Sequence, residues 1–268
     1  METYIGIIPA RYQSSRFPGK PLCDILGKPM IQRVYESVTE WDKWKAVYMA
    51  TDSEIIGEKC KELNIPCIMT RKDHRDCLDR ASEVVDILEK GGNGADKYII
   101  IQGDEPLFDV RTLNADLSPS IVNFYTKVMG NYEMYDSNTV KVIVSKNQKA
   151  IYFSRYSIPY HNERTKRVND GVIIYKQICA YVFTGEMLKI YNSLNFTSLE
   201  NMEGIGLNRL IENDIEVQMR YTKYDSIGVD TPEDRDRAEN IIKERYLNAG
   251  QSIDCDGNVT DCDKYKKP

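Results

Sequence analysis

The sequence has no excess of positive charge and no apolar run that approaches the length of a membrane span. Its 268 residues include 36 lysines and arginines against 41 aspartates and glutamates, so the formal net charge at pH 7 is −5. Proteins that hold nucleic acid or an anionic membrane surface by a basic patch show the opposite balance. A transmembrane helix needs about 20 consecutive apolar residues. We therefore expect neither nucleic acid nor a membrane as a partner, and we expect no signal peptide.

Paired cysteines and ligand-spaced histidines are also lacking. The seven cysteines are scattered, odd in number and never spaced as Cys-x-x-Cys, a pattern typical of reduced thiols in a cytosolic protein. The two histidines, His74 and His161, stand outside any cluster with metal-ligand spacing. We expect both to be surface loop residues, and we predict a cytoplasmic location.

Two glycine-rich phosphate-binding motifs are missing too. Neither GxxxxGK[ST] nor GxGxxG occurs, which excludes a Walker P-loop and the dinucleotide fingerprint. Instead, the first apolar strand, residues 4–9, leads into a loop with three cations, Arg11, Arg16 and Lys20. Flexible cations and backbone N–H groups are the natural counterpart of a triphosphate. Taken alone the loop could equally be a solvated basic turn, but its place at a strand end favours a phosphate site.

A second strand ends on acidic residues. Residues 98–101 are apolar and run into Gln102-Gly103-Asp104-Glu105-Pro106. A carboxylate beside a phosphate loop suits Mg²⁺, which takes one or two protein carboxylates and completes its shell with phosphate oxygens and water. A later segment, 231–234, has the residues expected at the start of a helix. Asp230, directly before it, is not needed for capping and is a candidate second ligand. The sequence therefore predicts a magnesium site at Asp104 and Asp230.

The first ~105 residues alternate strand and helix, which predicts a parallel sheet covered by helices. Ligands of such sheets lie beyond the carboxyl ends of the strands, where both motifs are found. The predicted strands are 4–9, 47–50, 67–69, 98–101, 121–128, 139–145, 150–154, 172–183 and 216–222. The predicted helices are 29–41, one ending near 63, 79–90, 186–193, 205–213 and 232–245. Residues 156–171 are predicted to form a long loop or lid.

Several motifs together resemble the 3-deoxy-manno-octulosonate cytidylyltransferase (CMP-Kdo synthetase) family over roughly residues 4–246. They are Ile8-Pro9-Ala10-Arg11, Ser15-Arg16-Phe17-Pro18-Gly19-Lys20-Pro21-Leu22, Gly27-Lys28-Pro29-Met30-Ile31, Gln102-Gly103-Asp104-Glu105-Pro106, Tyr152-Phe153-Ser154-Arg155 with Ile158-Pro159, and Gly228-Val229-Asp230-Thr231-Pro232-Glu233-Asp234.

The resemblance implies a nucleotidyltransferase α/β fold: a Rossmann-like, mostly parallel sheet flanked by helices, with a smaller β-rich part for acceptor binding and dimerisation. It implies one domain, 1–247, with a nucleotide part at about 1–118, an acceptor part at about 119–225 and a returning helix at 232–246. We expect 248–268 to be a flexible tail. The implied activity is transfer of CMP from CTP to an anionic sugar acid with Mg²⁺, by a homodimer, in lipopolysaccharide or capsule biosynthesis.

The resemblance also implies roles for single residues. It assigns catalysis to Lys20, Arg16 and Asp104, CTP binding to Ala10, Arg11, Arg16, Lys20, Gln102 and Asp104, acceptor binding to Arg80, Gln102, Arg155, Gln177 and Tyr181, and metal binding to Asp104 and Asp230.

The sequence departs from the family pattern on the acceptor side. Asp76-Cys77-Leu78-Asp79-Arg80 replaces the family's Ser-Gly-Thr-Asp/Glu-Arg, Gln177 replaces a histidine, and Gly206-Leu207 replaces a Glu-Gln pair that faces the sugar. Polar groups that pair with substrate hydroxyls carry large selectivity. The departures favour an altered acceptor, such as an aminated or deoxygenated ulosonic acid. A small phosphonate acceptor, another nucleotide and a non-catalytic nucleotide-binding relative stay open as alternatives.

Overall fold

A computed structural model describes residues 2–14, 16–160 and 173–248, with the backbone of 251–253 and 259–261. Its strands are β1 (Tyr4–Pro9), β2 (Asp24–Ile25), β3 (Lys28–Pro29), β4 (Trp44–Thr51), β5 (Cys67–Met69), β6 (Lys97–Ile101), β7 (Ile121–Lys127), β8 (Lys141–Val144), β9 (Ala150–Ser154), β10 (Tyr175–Phe183), β11 (Gln218–Tyr221), β12 (Gln251–Ile253) and β13 (Val259–Asp261). Its α-helices are α1 (Met30–Thr39), α2 (Glu54–Glu62), α3 (Cys77–Lys90), α4 (Asn131–Tyr135), α5 (Gly185–Ser193), α6 (Ser198–Glu203), α7 (Leu207–Glu212) and α8 (Pro232–Asn248). Short 3₁₀ turns cover Lys20–Leu22 and Val110–Asn114.

A nine-stranded sheet runs through the described chain. Seven of its strands follow the order β11-β7-β10-β6-β1-β4-β5, and β8 and β9 extend it from β10. Strand β1 is parallel to both β4 and β6, while β10 is antiparallel to β6 and β7. The mostly parallel α/β sheet predicted from the sequence is therefore confirmed.

Apolar side chains alternate between the two faces of the central strands because successive residues of a strand point to opposite sides. In β1, Ile5 and Ile7 pack in the cluster that contains the buried face of α3, whereas Ile8 packs with α1. In β6, Ile100 joins the α3 side and Ile99 the α1 side. Both faces of the sheet are thus covered, which fixes the strand ends where the polar motifs begin.

The predicted elements agree with the structure to within a few residues. Helix α3 begins two residues earlier than predicted, because Asp76 caps it by accepting hydrogen bonds from the backbone N–H groups of Leu78 and Asp79. The helices α4 and α6 were not predicted; they are only 5 and 6 residues long, too short to show a clear periodicity.

Two other expectations concern residues at the edge of the described ranges or outside them. Most of the predicted loop 156–171 lies outside the described residues, as does His161. The tail expected to be flexible from 248 onward contains an antiparallel pair, β12 with β13. The division into a nucleotide part and an acceptor part stays a prediction.

Gly103 lets the ends of β1 and β6 approach closely. Its N–H donates to the Pro9 carbonyl at 3.1 Å, and a Cβ at this position would lie 2.7 Å from the same oxygen. No side chain fits such a contact unless the backbone moves, so glycine is needed here for close approach. The residue after it, Asp104, is thereby held against the loop after β1.

We expect Gly103→Ala to separate the two strand ends and to lower the free energy of unfolding by about 1–3 kcal/mol, the usual cost of overpacking. Urea unfolding measures the change. Gly91→Ala is the matched control, because its Cβ would meet neighbours only at ordinary distances of 3.4 Å or more. Equal stability of the two variants would show that the Pro9 contact places no constraint on the fold.

Candidate active site

Two adjoining cavities open at the carboxyl ends of β1 and β6. The first, about 350 Å³, is lined mainly by the loop after β1, and we call it the loop cavity. The second, about 360 Å³, lies between β10, α3, the residues before α7 and those before α8, and we call it the strand cavity. Residues that line both are Arg11, Cys77, Gln102, Asp104 and Asp230. A molecule in one cavity would therefore meet a molecule in the other at Asp104 and Asp230.

Lys20 lies between the two predicted metal carboxylates. Its ammonium contacts Asp104 Oδ2 at 2.7 Å and Asp230 Oδ1 at 2.8 Å, and its side chain is only 11% exposed. Burial alone would lower the Lys20 pKa, but the two carboxylates outweigh burial and raise it. Gly19, at φ 70°, forms the left-handed turn that directs Lys20 inward.

Asp230 receives a second cation from the loop. Arg16 Nη2 is 3.1 Å from Asp230 Oδ1, and the Arg16 side chain is about half exposed. Burial would raise the Asp230 pKa, but Lys20 and Arg16 together hold it below its usual value. Asp230 is therefore ionised at neutral pH and can bind a cation or the positive part of a ligand.

The segment before α8 is fixed by its own capping and by a contact with the end of β6. The Val229 N–H donates to the Asp104 carbonyl at 2.8 Å. Asp234 accepts from the N–H groups of Asp230 and Thr231, while the Thr231 hydroxyl accepts from Asp234 N. This reciprocal cap accounts for Thr231 and Asp234 and leaves the Asp230 side chain turned toward the cavities.

Ala10 and Arg11 follow β1 directly and line the loop cavity. The Ala10 N–H donates to the Ala50 carbonyl at 2.9 Å, so this residue continues the β1–β4 pairing into the loop cavity. Arg11 Nη2 donates to the His74 carbonyl at 2.6 Å and lines both cavities. His74 itself is buried and its ring contacts Glu83, so the expectation of a surface histidine was wrong.

A β-bulge positions the side chains of β10 that line the strand cavity. The pairing of β10 with β7 is interrupted between Ile178 and Tyr181, and the buried Asn123 amide donates to the carbonyls of Ile178 and Ala180. Gln177 donates to Asn123 Oδ1 at 3.0 Å. Bulges re-aim side chains beside sites, and here Gln177 and Tyr181 both line the cavity.

Gln102, Tyr181 and Arg155 are held by neighbouring groups. Gln102 Nε2 donates to the Tyr181 hydroxyl at 3.0 Å. Arg155 Nε donates to the Glu203 carbonyl at 2.7 Å and Nη1 to the Ser137 carbonyl at 2.9 Å. All three residues line the strand cavity, as does Gln177, and their role in acceptor binding stays a prediction.

Arg80 is the exception among the predicted site residues. It is fully buried, its guanidinium lies 3.1 Å from Asp52, and in the described structure it lines neither cavity. Arg80 lies on the face of α3 turned toward the ends of β4 and β5, where Thr70 also accepts a hydrogen bond from it. The expectation of direct acceptor contact is therefore corrected: Arg80 ties α3 to the sheet.

A buried ionic group that no sequence pattern indicates lies beneath the strand cavity. Lys176 contacts Glu133 at 2.6 Å and Asp225 at 2.8 Å. Glu105, also buried, accepts from Ser226, and its pKa is raised to about 7 by burial and by the charge of Asp104. The partners lie tens of residues apart in sequence, so no local pattern could have indicated them.

The described residues hold neither a complete metal cluster nor a helix that could cross a membrane. No group of three or more His, Cys, Asp or Glu side chains among them could enclose a metal ion. The helices described are all too short or too polar to span a bilayer. Asp104 and Asp230 are thus two carboxylates rather than a complete ligand set, an arrangement that suits a cation shared with a phosphate ligand.

Comparison with known proteins gives consistent matches along most of the chain. The cytidylyltransferase family model matches residues 5–227. The 3-deoxy-manno-octulosonate cytidylyltransferase of Parabacteroides distasonis is 37% identical over 258 residues, covering 91% of this chain and 100% of that protein. The enzyme of the same name from Lawsonia intracellularis is 38% identical, covering 90% of this chain and 95% of that protein.

Solved structures agree with the sequence matches. A CMP:2-keto-3-deoxy-manno-octonic acid synthetase complexed with CTP superposes with a TM-score of 0.79 and 32% identity, covering 91% of this chain and 99% of that chain. An inositol-1-phosphate CTP transferase from T. maritima, at 14% identity and a TM-score of 0.64, shares the fold. The resemblance inferred from the motifs is confirmed: the chain belongs to the 3-deoxy-manno-octulosonate cytidylyltransferase family.

Proposed function

We propose that this protein transfers CMP from CTP to the 2-keto-3-deoxy sugar acid Kdo, or to a closely related ulosonic acid, and releases pyrophosphate. The observation that carries the proposal is the meeting of two cavities at Asp104, Asp230 and Gln102, with the cations Arg16 and Lys20 on the loop side. A group transfer between two small molecules needs this layout, because both must bind at once with their reacting atoms adjacent.

CTP would occupy the loop cavity. Arg11, Arg16 and Lys20 offer three positive charges, and Ala10 brings backbone close to the ligand at the end of β1. In the reaction an acceptor hydroxyl attacks the α-phosphorus in line and pyrophosphate leaves. Arg16 and Lys20 would stabilise the negative charge that accumulates on the leaving pyrophosphate, since fixed charges aimed at developing charge are a major source of rate enhancement.

Asp104 and Asp230 fit a bound Mg²⁺. Both direct a carboxylate oxygen at one positive charge, the Lys20 ammonium, which shows that their donor atoms can share a cation. One or two carboxylates plus phosphate oxygens are the usual Mg²⁺ environment in nucleotide enzymes. When bound, Mg²⁺ would supply Lewis-acid charge to the phosphates and to the attacking oxygen. Lys20 would then be free to pair with the triphosphate.

The strand cavity would hold the acceptor. Arg155, Gln177 and Tyr181 line it together with Gln102, and the Arg155 side chain carries positive charge suited to a carboxylate. The relatives are named for Kdo, which supports Kdo as the first acceptor to test. A small phosphonate has no such support from the relatives.

We expect Asp104→Asn and Asp230→Asn each to lower kcat/KM for pyrophosphate release by about 10²- to 10³-fold, the loss typical of removing one group that stabilises transition-state charge. Each removes one of the negative charges that hold the cation. Asp116→Asn, at an exposed ion pair with Arg220, is the matched control and should keep the rate. Near-normal turnover by both site variants would remove the two carboxylates from the mechanism.

Acceptor identity is tested by pyrophosphate release with CTP and Mg²⁺ against Kdo, its 8-amino analogue, other ulosonic acids and small phosphonates. We expect turnover of Kdo or of a related ulosonic acid, because the cavity presents guanidinium groups and several hydrogen-bonding side chains to a polyhydroxy acid. Turnover of phosphonates alone would contradict the proposed acceptor class. CTP binding without turnover of any acceptor would indicate a non-catalytic relative.

The homodimer and the cytoplasmic location implied by the resemblance stay predictions. Large apolar side chains are exposed near one another in sequence at Met129, Tyr132 and Tyr135, each at least 66% exposed, and a second copy of the chain would shield them. We expect sedimentation equilibrium to give twice the mass of one 30.9 kDa chain. A mass of a single chain at micromolar concentration would contradict the dimer.

A further inference from the structure

Asp76 lies at the wall of the strand cavity, where the sequence departs from its family. Its Oδ1 caps α3 by accepting from the N–H groups of Leu78 and Asp79 at 2.9 and 2.8 Å. Its Oδ2 accepts from the Tyr191 hydroxyl and from Arg209 Nη2, the latter at 3.3 Å. The side chain is 25% exposed and lines the cavity. Oδ1 thus serves the helix cap, whereas Oδ2 accepts from side chains of other elements.

Gly206 is a glycine because Tyr191 and Asp76 occupy the space of a side chain. A Cβ at position 206 would overlap the Tyr191 hydroxyl and lie 2.9 Å from Asp76 Oδ2. The Gly206 backbone is helical, at φ −60° and ψ −31°, so its conformation would accept any residue. The space that a side chain at 206 would fill is therefore taken by the carboxylate of Asp76, the N-cap of α3, and by the hydroxyl of Tyr191 in α5.

The charges around Asp76 do not balance. The fully buried Arg209 contacts Asp76, Asp79 and Glu200, and Arg75 contacts Asp79. Three carboxylates share two guanidinium groups, which leaves one net negative charge in this cluster. Asp76 is the carboxylate of this cluster that lines the cavity, so it is the one that a ligand there would meet.

We propose that Asp76 binds the acceptor, accepting a hydrogen bond from a hydroxyl or amino group of that molecule, and so determines acceptor specificity. The proposal rests on the proposed function of the strand cavity. The Arg209 contact, at 3.3 Å, is longer than an ordinary N–H···O bond of about 2.7–3.2 Å. Arg209 Nη2 also donates to Glu200, so a donor of the ligand would take its place on Oδ2. Leu78, Gly206 and Leu207 beside it supply no polar side chain at this wall, so Asp76 is the polar side chain that a ligand there would meet.

Asp76→Asn and Asp76→Ser test the proposal, because both Asn and Ser cap helices well while removing the carboxylate charge. We expect kcat/KM for the acceptor to fall by about tenfold or more, as for loss of a hydrogen bond to a charged group. The KM for CTP should stay within about twofold of wild type, since uniform damage to the enzyme would move both constants. Asp109→Asn is the matched control: Asp109 caps the turn Val110–Asn114 and in the described structure lines neither cavity.

Paired acceptors identify the bonded group. A hydroxylated ulosonic acid and the same acid with an amino group in place of one hydroxyl are compared in wild type and Asp76→Asn. A lower kcat/KM of Asp76→Asn with either acceptor supports the proposal. The acceptor whose kcat/KM falls further shows whether the donor is a hydroxyl or an ammonium, because charge-assisted hydrogen bonds are the stronger. Unchanged acceptor constants for both acids in both Asp76 variants would overturn it and leave Asp76 as a cap.

Gly206→Ala provides a second measurement that leaves Asp76 in the chain. Its Cβ would displace the Tyr191 hydroxyl and Asp76, so we expect a higher acceptor KM with an unchanged CTP KM. Adding Tyr191→Phe makes room and should restore part of the acceptor binding. A Gly206→Ala enzyme with wild-type acceptor constants would contradict the proposal.

Failure of the proposed function itself would look different. Wild-type enzyme would then bind CTP but release no pyrophosphate with any acceptor.

Discussion

One ammonium group held between two carboxylates organises the cleft. Lys20 joins Asp104, at the end of β6, to Asp230, which precedes α8 more than a hundred residues later. Mutual repulsion of the two carboxylates would separate these segments if no cation lay between them. Two further contacts keep Asp104 and Asp230 in place: the close approach of Gly103 to the end of β1, and the reciprocal cap at the start of α8. The cation between the cavities thus holds the cleft together and marks the proposed centre of the chemistry.

The sequence predicted most of the architecture because buried strands and amphipathic helices have simple periodicities. It also predicted that the loop cations, Asp104 and Asp230 lie together, since each stands directly after a strand or before a capped helix, at the carboxyl edge of the sheet. Arg80 was misplaced because a motif match carries no information about which face of α3 a residue occupies. The expectation of a surface position for His74 was wrong because its partner, Glu83, lies nine residues later in α3, and the two form no recognisable sequence pattern.

The wall of the strand cavity at Gly206 could not be predicted, because it depends on which side chains fill the same space in the fold. Gly206 and Asp76 are 130 positions apart in sequence, and only the fold shows that one fills the space left by the other. In the sequence alone, each departure from the family pattern reads as a separate loss of a polar group. In the structure Asp76, a capping residue with two oxygens, lines the cavity beside Gly206, and its Oδ2 accepts from the buried Tyr191 hydroxyl and from the buried Arg209.

A crystal structure with a non-hydrolysable CTP analogue and Mn²⁺, located by anomalous scattering, tests the central claim most directly. The account predicts Mn²⁺ in contact with Asp104 and Asp230, the triphosphate in the loop cavity, and the Lys20 ammonium moved from the carboxylates to the phosphates. A nucleotide bound elsewhere, or Mn²⁺ that contacts neither carboxylate, would contradict it.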